Sequence, residues 1–367
     1  MSIFSITTYK SMEFVNILHK FKKVFLLNVE TKILYKRYVH DKQLNKIPKK
    51  GPWNVLFFGT DEFSVESFKM LFNKYESNIV QRLEVVTRNT VKENALRMYA
   101  KEKGIVINNW PLDIDLSNFH IGIVVSFGYL IPSNVIKSFP LGMINVHGSL
   151  LPKWRGAAPI TYTLMNGDRQ TGVTIMNIKP KKFDIGEIVL QKEINISEHE
   201  TLPELYIKLS KLGADLLAKV IDDLPHILKS VKPQNEANAT YAPKITSKIA
   251  SVKWDEMSAT NVYNLHRALL GLYPLSTRLI DTPVKLHDIK IAEKSIAVKL
   301  KEEKPGVAMY DNVNNTLVIK CKGDDCISVK NIAVKGKSRI SAQSFNNGYI
   351  KETMYTKRKT TKRKEVN

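Results

Sequence analysis

From Trp53 onward, short apolar runs alternate with stretches whose apolar positions recur at helical spacing. The apolar runs predict strands at 54–58, 82–87, 105–107, 121–125, 141–145, 171–177 and 186–191, and the helical spacing predicts helices at 60–75, 94–103 and 202–224. Strands that alternate with helices indicate an α/β domain with a parallel sheet covered on both faces. Such sheets bind ligands at the carboxyl ends of their strands, where the loops at Gly59, Phe127 and Asn145 fall.

The pattern changes after residue 231. Residues 232–240 are polar, contain Pro233 and lack large apolar side chains, which is typical of a linker. Beyond them, a predicted helix at 258–270 precedes several short strands separated by turns, and this arrangement favours a small β-barrel. The predicted organisation is a basic extension at 1–50, an α/β domain at 51–231, a linker at 232–244, a second domain at 245–346 and a basic tail at 347–367.

The charge balance indicates what kind of partner the protein binds. The chain of 367 residues carries 56 Lys and Arg against 35 Asp and Glu, a net charge of +21. This excess favours an anionic partner, and nucleic acid comes first because clustered cations neutralise phosphates. A solvated, lysine-rich surface without a partner is the alternative. Because no apolar stretch approaches the ~20 residues that cross a bilayer, we expect a soluble protein with no membrane partner.

The two ends of the chain hold much of the positive charge. Residues 1–50 contain eleven Lys and Arg against only Glu13, Glu30 and Asp41, with short apolar bursts between the charges. A basic, amphipathic segment that is poor in acids is typical of an organelle-import peptide, and a basic extension without that role is the alternative. The run at 357–364 predicts a flexible cationic tail.

Two kinds of bound group are not expected. Cys321 and Cys326 have no histidine nearby, so they supply too few ligands for a closed zinc site, and no metal is predicted. A disulfide between them is conceivable, although two thiols in a reducing compartment is the preferred interpretation. The turn after the first strand reads Gly-Thr-Asp-Glu-Phe and lacks the paired glycines of a dinucleotide site, which argues against dehydrogenases.

Acyl-transfer chemistry is indicated by three polar residues beside a loop rich in glycine and proline. Asn145 and His147 share a face if their strand extends far enough, since strand side chains alternate with a period of two. Their N–H groups could then hold an oxyanion, and Asp184 could orient the imidazole and relay a proton. Ser149 lacks a nucleophile elbow, so a hydrogen-bonding role is preferred. The loop residues Lys153, Trp154 and Arg155 could grip a phosphate or stack on a base, or form a solvated loop face.

The motifs resemble those of the folate-dependent formyltransferase superfamily, whose mark is Asn-x-His followed by Asp-x-Gly. The run at 147–160 resembles the methionyl-tRNA formyltransferases within it. Further matches occur at 58–63, 124–132, 166–168, 171–176 and 241–244 and at Trp254, so the resemblance covers about residues 53 to 345. It implies a Rossmann-like α/β formyltransferase domain followed by a small OB-like β-barrel domain that binds tRNA.

The resemblance also implies a reaction: a formyl group passes from 10-formyltetrahydrofolate to the α-amino group of initiator methionyl-tRNA. Asn145, His147 and Asp184 would be the catalytic set. The folate site would be lined by Phe127, Gly128, Tyr129 and Leu130 and by Ser149, Leu150, Leu151 and Pro152. The tRNA would be met by Lys153, Arg155 and Gly156, with Arg88 and Lys92 in a shortened form of the basic insertion that bacterial relatives carry. A location in the mitochondrial matrix is expected, since Phe183 and Ile185 resemble the mitochondrial members. A monomer is expected as well.

Two alternatives stay open on sequence grounds. A relative with the same core could act on a small-molecule amine or, as a hydrolase, on water. A basic second domain and a cationic tail favour a polyanionic substrate instead. A catalytically silent RNA-binding protein on the same scaffold is the other alternative, and the presence of Asn145, His147 and Asp184 argues against it.

Overall fold

A seven-stranded sheet with helices forms the first half of the protein. The computed structural model describes residues 50–180, 182–279 and 282–350. The predicted import peptide and cationic tail lie outside these residues. The strands are β1 Trp53–Gly59, β2 Val80–Arg88, β3 Ile107–Trp110, β4 Ile121–Val125, β5 Met143–His147, β6 Gln170–Asn177 and β7 Ile188–Asn195. The helices are α1 Glu62–Glu76, α2 Ala95–Glu102, α3 Ser133–Ser138, α4 Pro159–Asn166 and α5 Leu202–Asp222.

The strand order in this sheet is β3-β2-β1-β4-β5-β6-β7, and the first five strands in that order are parallel. This is the Rossmann-like arrangement that the alternation of strands and helices predicts. The last two strands differ from that prediction, because β6 is antiparallel to both β5 and β7. Only residues 178–187 join β6 to β7, and a parallel crossover needs a dozen residues or more.

The bounds of strand β5 determine whether Asn145 and His147 lie on one strand. Its predicted range was 141–145, whereas the structure places it at Met143–His147, so that Asn145 and His147 belong to one strand. Two short helices, α3 and α4, were not predicted. Helix α4 begins with Pro159, whose ring suits a first helical turn because no backbone N–H is needed there.

An antiparallel sheet forms the second half of the protein. Its strands are β8 Leu275–Leu279, β9 Thr282–Ile291, β10 Ala308–Asp311, β11 Thr316–Lys320, β12 Cys326–Val334 and β13 Arg339–Ser341. Their order is β10-β11-β12-β9-β8, with β13 paired to β12. Helices α6 Ala259–Leu269, α7 Lys294–Ala297 and α8 Ala342–Phe345 accompany them. The predicted fold class, a Rossmann-like domain followed by a small β domain, is confirmed.

A separate hydrophobic core supports this second sheet. It is built from side chains that α6 and the strands bury together, among them Val262, Leu286 and Ile327. Cys321 and Cys326 are buried free thiols within this half, and burial raises the pKa of Cys321 to about 12. Among the described residues, no helix combines the length and apolar character needed to cross a membrane.

Candidate active site

A cleft with a volume of about 720 Å³ opens where β1, β4 and β5 end. Thr60 and Ser126 follow the first two of these strands, and Asn145 and His147 come from the third. The strand order reverses direction between β1 and β4, and open α/β sheets bind their ligands at that point. The position of the cleft therefore follows from the chain's topology.

Asn145, His147 and Asp184 meet in this cleft. The Asp184 Oδ1 atom lies 3.4 Å from Asn145 Nδ2 and 3.7 Å from His147 Nδ1. The imidazole and the carboxylate are almost fully buried, at 5% and 8% exposure. The predicted convergence of an amide, an imidazole and a carboxylate is thus present in the geometry. Asn145 Nδ2 carries two hydrogens, so it can hold Asp184 with one and a developing oxyanion with the other.

The tautomer of His147 follows from its second ring nitrogen. Nε2 lies 2.9 Å from the carbonyl oxygen of Trp154. A carbonyl oxygen only accepts hydrogen bonds, so Nε2 must carry a hydrogen. In the neutral imidazole, Nδ1 is then the unprotonated nitrogen, and it faces Asp184. The sequence predicts that Asp184 orients the imidazole, and the structure adds the Trp154 carbonyl as the group that selects the tautomer.

Left-handed backbone conformations shape the two loops that deliver these groups. Trp154 has φ of 62° and Asp184 has φ of 55°, values that non-glycine residues adopt at a cost of roughly 1–2 kcal/mol. Ser126, which follows β4 and also lines the cleft, has φ of 50°. Such strain persists only where neighbouring structure holds the chain. At Asp184, the Gly156 backbone N–H donates to Oδ2 at 2.8 Å.

The predicted folate-binding residues divide into two groups. Phe127, Gly128, Tyr129 and Leu130 line the cleft, and the Phe127 ring packs against both Trp110 and Tyr129, with centroids 5.2 and 5.3 Å away. This wall could receive a flat aromatic ligand.

Of the described residues, those at 149–152 lie outside the cleft lining, and the contact of Ser149, Leu150, Leu151 and Pro152 with folate stays a prediction. Their polar groups are turned into the protein: Ser149 Oγ donates to the Lys153 carbonyl at 2.6 Å, and the Leu151 N–H donates to Thr174 Oγ1.

The cationic side chains that are predicted to contact tRNA differ from one another in exposure and in bonding partners. Lys153 is partly exposed and pairs with Asp168 at 2.8 Å. Arg88 and Lys92 are exposed, and the Arg88 guanidinium lies 5.8 Å from the centre of the Tyr129 ring. Arg155 is only 3% exposed, and its donors are directed to Gln234 and Glu236. A phosphate-binding role for Arg155 does not fit this geometry, because the guanidinium is buried and already bonded.

Several lining residues were not predicted from sequence. Asp61, Ser126 and Tyr206 form a hydrogen-bonded group on one wall, with Ser126 Oγ donating to Asp61 Oδ2 at 2.5 Å. Burial raises the pKa of Asp61 and that of Tyr206. Lys244 and Leu272, which follow the α/β half in sequence, also reach the cleft. Asp61, Ser126 and Lys244 fall within segments that match the family in sequence, whereas Tyr206 and Leu272 lie in none of them. The fold brings all of them to the cleft.

Comparisons with known proteins match both halves of the chain to formyl transferases. The family model described as formyl transferase matches residues 77–221, and the model for the formyl transferase C-terminal domain matches residues 244–350. A mitochondrial methionyl-tRNA formyltransferase of Rattus norvegicus is 37% identical over 84% of this chain and 82% of its own length. A methionyl-tRNA formyltransferase of Caldicellulosiruptor saccharolyticus is 32% identical over 81% of this chain and 97% of its own length.

Solved structures show the same fold at lower identity. The sugar 3N-formyltransferase WlaRD, solved with dTDP and 5-N-formyl-THF, has a TM-score of 0.55 and 19% identity, and the match covers 78% of this chain and all of that one. An N-formyltransferase from Helicobacter canadensis, solved with folinic acid and a dTDP-sugar, also has a TM-score of 0.55, with 18% identity over 76% of this chain and 98% of its own. The matched family models and the relatives above 30% identity show that the chain belongs to the methionyl-tRNA formyltransferase family.

Proposed function

We propose that this enzyme transfers the formyl group of 10-formyltetrahydrofolate to the α-amino group of initiator methionyl-tRNA. The observation that carries the proposal is the meeting of Asn145, His147 and Asp184 in one cleft. The relatives named as methionyl-tRNA formyltransferases support the choice of acceptor. Structural relatives solved with folate derivatives support the choice of donor.

The residues of the cleft supply the two groups that this reaction needs: one that holds the oxyanion and one that accepts and returns a proton. An α-amino group has a pKa near 8, so a neutral nucleophile is accessible without a strong base. Its attack on the formyl carbon forms a C–N bond and an oxyanion, which the Asn145 amide holds. His147 Nδ1 accepts the proton that the amine loses, and Asp184 stabilises the resulting imidazolium. The C–N10 bond then breaks as N10 receives a proton from His147, and tetrahydrofolate leaves.

The walls of the cleft divide between the two substrates. We assign the folate ring to the aromatic wall at Phe127–Leu130, where Trp110 and Tyr129 support the Phe127 ring. The acceptor end would pass Gly156 and Lys153, with Arg88 and Lys92 as outer cations. Residues 51–231 form the catalytic domain, and residues 245–346 form the tRNA-binding domain, joined by 232–244. No metal or dinucleotide takes part in this scheme.

The location is proposed from the sequence and the relatives. Relatives from rat and human are named as mitochondrial proteins. We infer that residues 1–50 direct a monomeric enzyme to the mitochondrial matrix. A fusion of these residues to a fluorescent protein should enter mitochondria, whereas a fusion with their eleven Lys and Arg changed to Gln should stay in the cytosol. Equal distribution of both fusions would refute the import role.

The reaction is tested by formyl transfer from 10-formyltetrahydrofolate to charged initiator tRNA. We expect formylation of methionyl-tRNA, none of free methionine or uncharged tRNA, and a loss of about 10²–10³-fold in rate for His147→Ala. His226→Ala, at an exposed histidine outside the cleft, is the matched control and should keep the wild-type rate. Folate turnover without tRNA formylation would instead indicate a small-molecule formyltransferase or a hydrolase.

A further inference from the structure

The segment 232–244, which the sequence marks as a linker, is bonded to both loops of the active site. At its far end, the Arg155 N–H donates to the Thr240 carbonyl at 2.9 Å, and the Ala242 N–H donates to the Arg155 carbonyl at 2.7 Å. At its start, Lys232 exchanges backbone hydrogen bonds with Ile188 in β7. A flexible spacer would not make such contacts, so the segment is part of the site's framework.

Gln234, near the start of this segment, binds the backbone of the turn that carries Asp184 at two points. Its Nε2 donates to the carbonyl oxygens of Asp184 at 2.9 Å and Gly186 at 2.8 Å. Its Oε1 accepts from Arg155 Nε at 3.1 Å and from a terminal nitrogen of the same guanidinium at 2.7 Å. Because Arg155 only donates and the two carbonyls only accept, the amide can take one orientation only.

Arg155 also binds a second residue of this segment, Glu236. Both terminal nitrogens of its guanidinium donate to the Glu236 carboxylate, each at 2.8 Å. This hydrogen bonding raises the pKa of Arg155, and the pKa of Glu236 is lowered in turn. The chain of contacts thus runs from Glu236 through Arg155 and Gln234 to the backbone of Asp184.

The Asp184 backbone needs such support. Its φ of 55° is unfavourable for a residue with a side chain, and its carboxylate must present one oxygen to His147 and the other to the Gly156 N–H. A small rotation of this turn would move the carboxylate away from the imidazole. Two hydrogen bonds from a single fixed amide, one on each side of Ile185, oppose that rotation.

We propose that Gln234 is a positioning residue for the reaction: it holds the Asp184 turn in its left-handed conformation and so keeps the carboxylate beside His147. This proposal rests on the proposed role of Asp184 in the transfer. It makes the connecting segment a contributor to turnover, beyond its role in joining two domains.

The test is the variant Gln234→Glu. A glutamate keeps the acceptor that Arg155 binds but places a carboxylate oxygen against two carbonyl oxygens. We expect kcat to fall by about 10- to 100-fold, as a misplacement on the ångström scale does. KM and Kd for methionyl-tRNA should stay within twofold of wild type, whereas a merely loosened linker would change them. Gln170→Glu, the same substitution at the exposed start of β6, is the control and should keep wild-type kinetics.

A double-mutant cycle with Asp184→Asn separates the possible outcomes. If Gln234 acts through Asp184, Gln234→Glu should add less than twofold to the loss in the Asp184→Asn background. An equal loss in both backgrounds, or a wild-type kcat in Gln234→Glu, overturns the proposal. Wild-type activity of Asp184→Asn alone would instead overturn the proposed role of Asp184.

Thermal unfolding should confirm that the variants are folded. If Gln234→Glu fails to fold, Gln234→Met replaces it, because methionine keeps the length of the side chain without its amide. The same loss in kcat is expected of that variant, and a folded Gln234→Met with wild-type kcat overturns the proposal equally well.

Discussion

At the scale of single residues, Gly186 shows why the Asp-x-Gly motif ends in glycine. A Cβ atom at this position would lie 1.6 Å from the Asn177 carbonyl oxygen, at the end of β6. The neighbouring Asn177 N–H already bonds to the Glu187 carbonyl, so the two backbones are fixed close together. The glycine is therefore required by the packing of the Asp184 turn against the sheet.

Gly186→Ala should destabilise the protein and slow the reaction. Relieving the contact with Asn177 requires a backbone shift, for which we expect a loss of about 1–3 kcal/mol in the free energy of unfolding. The displaced Asp184 should lower kcat by about 10²-fold. Urea unfolding and formyl transfer measure the two effects. Gly348→Ala is the control, since no described heavy atom lies within 4 Å of a Cβ built there, and equal stability of the two variants would contradict the prediction.

The sequence predicts the positions of the proposed catalytic side chains better than it predicts the contacts that hold them. The spacing of Asn145 and His147 places both on one face of a strand, and β5 has that form. The left-handed backbone of Trp154 leaves no trace in local sequence, since such a residue usually avoids this region. Aspartate enters the region more readily, but its presence at position 184 does not by itself predict that conformation. Arg155 looked like a phosphate ligand because a cation in a loop is usually exposed. Its guanidinium is instead buried and binds Glu236, 81 residues further along the chain.

At the scale of elements, the start of α1 is tied to the cleft. Asp61 caps this helix by accepting from the Ser64 N–H, and it also accepts from Ser126 Oγ. Burial is the largest of the causes that raise its pKa. The folded protein therefore holds a proton on Asp61 more tightly than the unfolded chain does. Stability contributed by this group is lost as the pH rises from the unfolded pKa, near 3.8, through the folded pKa.

Asp61→Asn should remove this dependence while keeping an acceptor for the helix cap. Relative to wild type, the stability of the variant should improve as the pH rises from about 4 to 7, measured by urea unfolding at each pH. Asp115→Asn is a control of opposite sign, because hydrogen bonds from Ser117 lower the pKa of exposed Asp115. Its stability relative to wild type should not improve over that range. A pH-independent difference for Asp61→Asn would refute the prediction.

Element types were predictable where the periodic signal was long. Helix α5 was predicted at 202–224 and lies at Leu202–Asp222. Short elements were harder: β3 was predicted at 105–107 and lies at Ile107–Trp110, because pairing with β2 rather than apolar content sets its bounds. The antiparallel direction of β6 and β7 depends on the length of one connection, which the alternation pattern does not report.

At the scale of the whole molecule, the positive charge is unevenly distributed. Residues 51–231 carry 20 Lys and Arg against 19 Asp and Glu, so the proposed catalytic domain is nearly neutral. Residues 245–346 carry 16 against 10, and residues 347–367 carry 7 against 2. Attraction of a polyanion would therefore come from the regions outside the catalytic domain, with the cleft contributing orientation and chemistry.

Changing the six Lys and Arg at 357–364 to Gln should weaken tRNA binding. Phosphate contacts release counterions, so the slope of log K against log salt should become shallower by roughly 1 or more. The rate at saturating tRNA should not change, because the cleft is untouched. A variant with the same tail residues in shuffled order is the control and should bind as wild type does. Identical affinity and salt slope for the Gln variant would exclude a tail contact with tRNA.

The buried Arg155 also limits how this enzyme can be recombined with its relatives. Its counter-charge, Glu236, lies in the segment 232–244, so a chimera joined at 231/232 pairs this guanidinium with a foreign segment. A buried cation that has lost its partner is strongly destabilising. A junction after Lys244 takes Arg155, Glu236 and Gln234 from one parental sequence, so their contacts are kept. The segment that must be inherited together with the proposed catalytic domain therefore extends to residue 244. Exchange of the proposed tRNA-binding domain between lineages is expected to tolerate only the later junction.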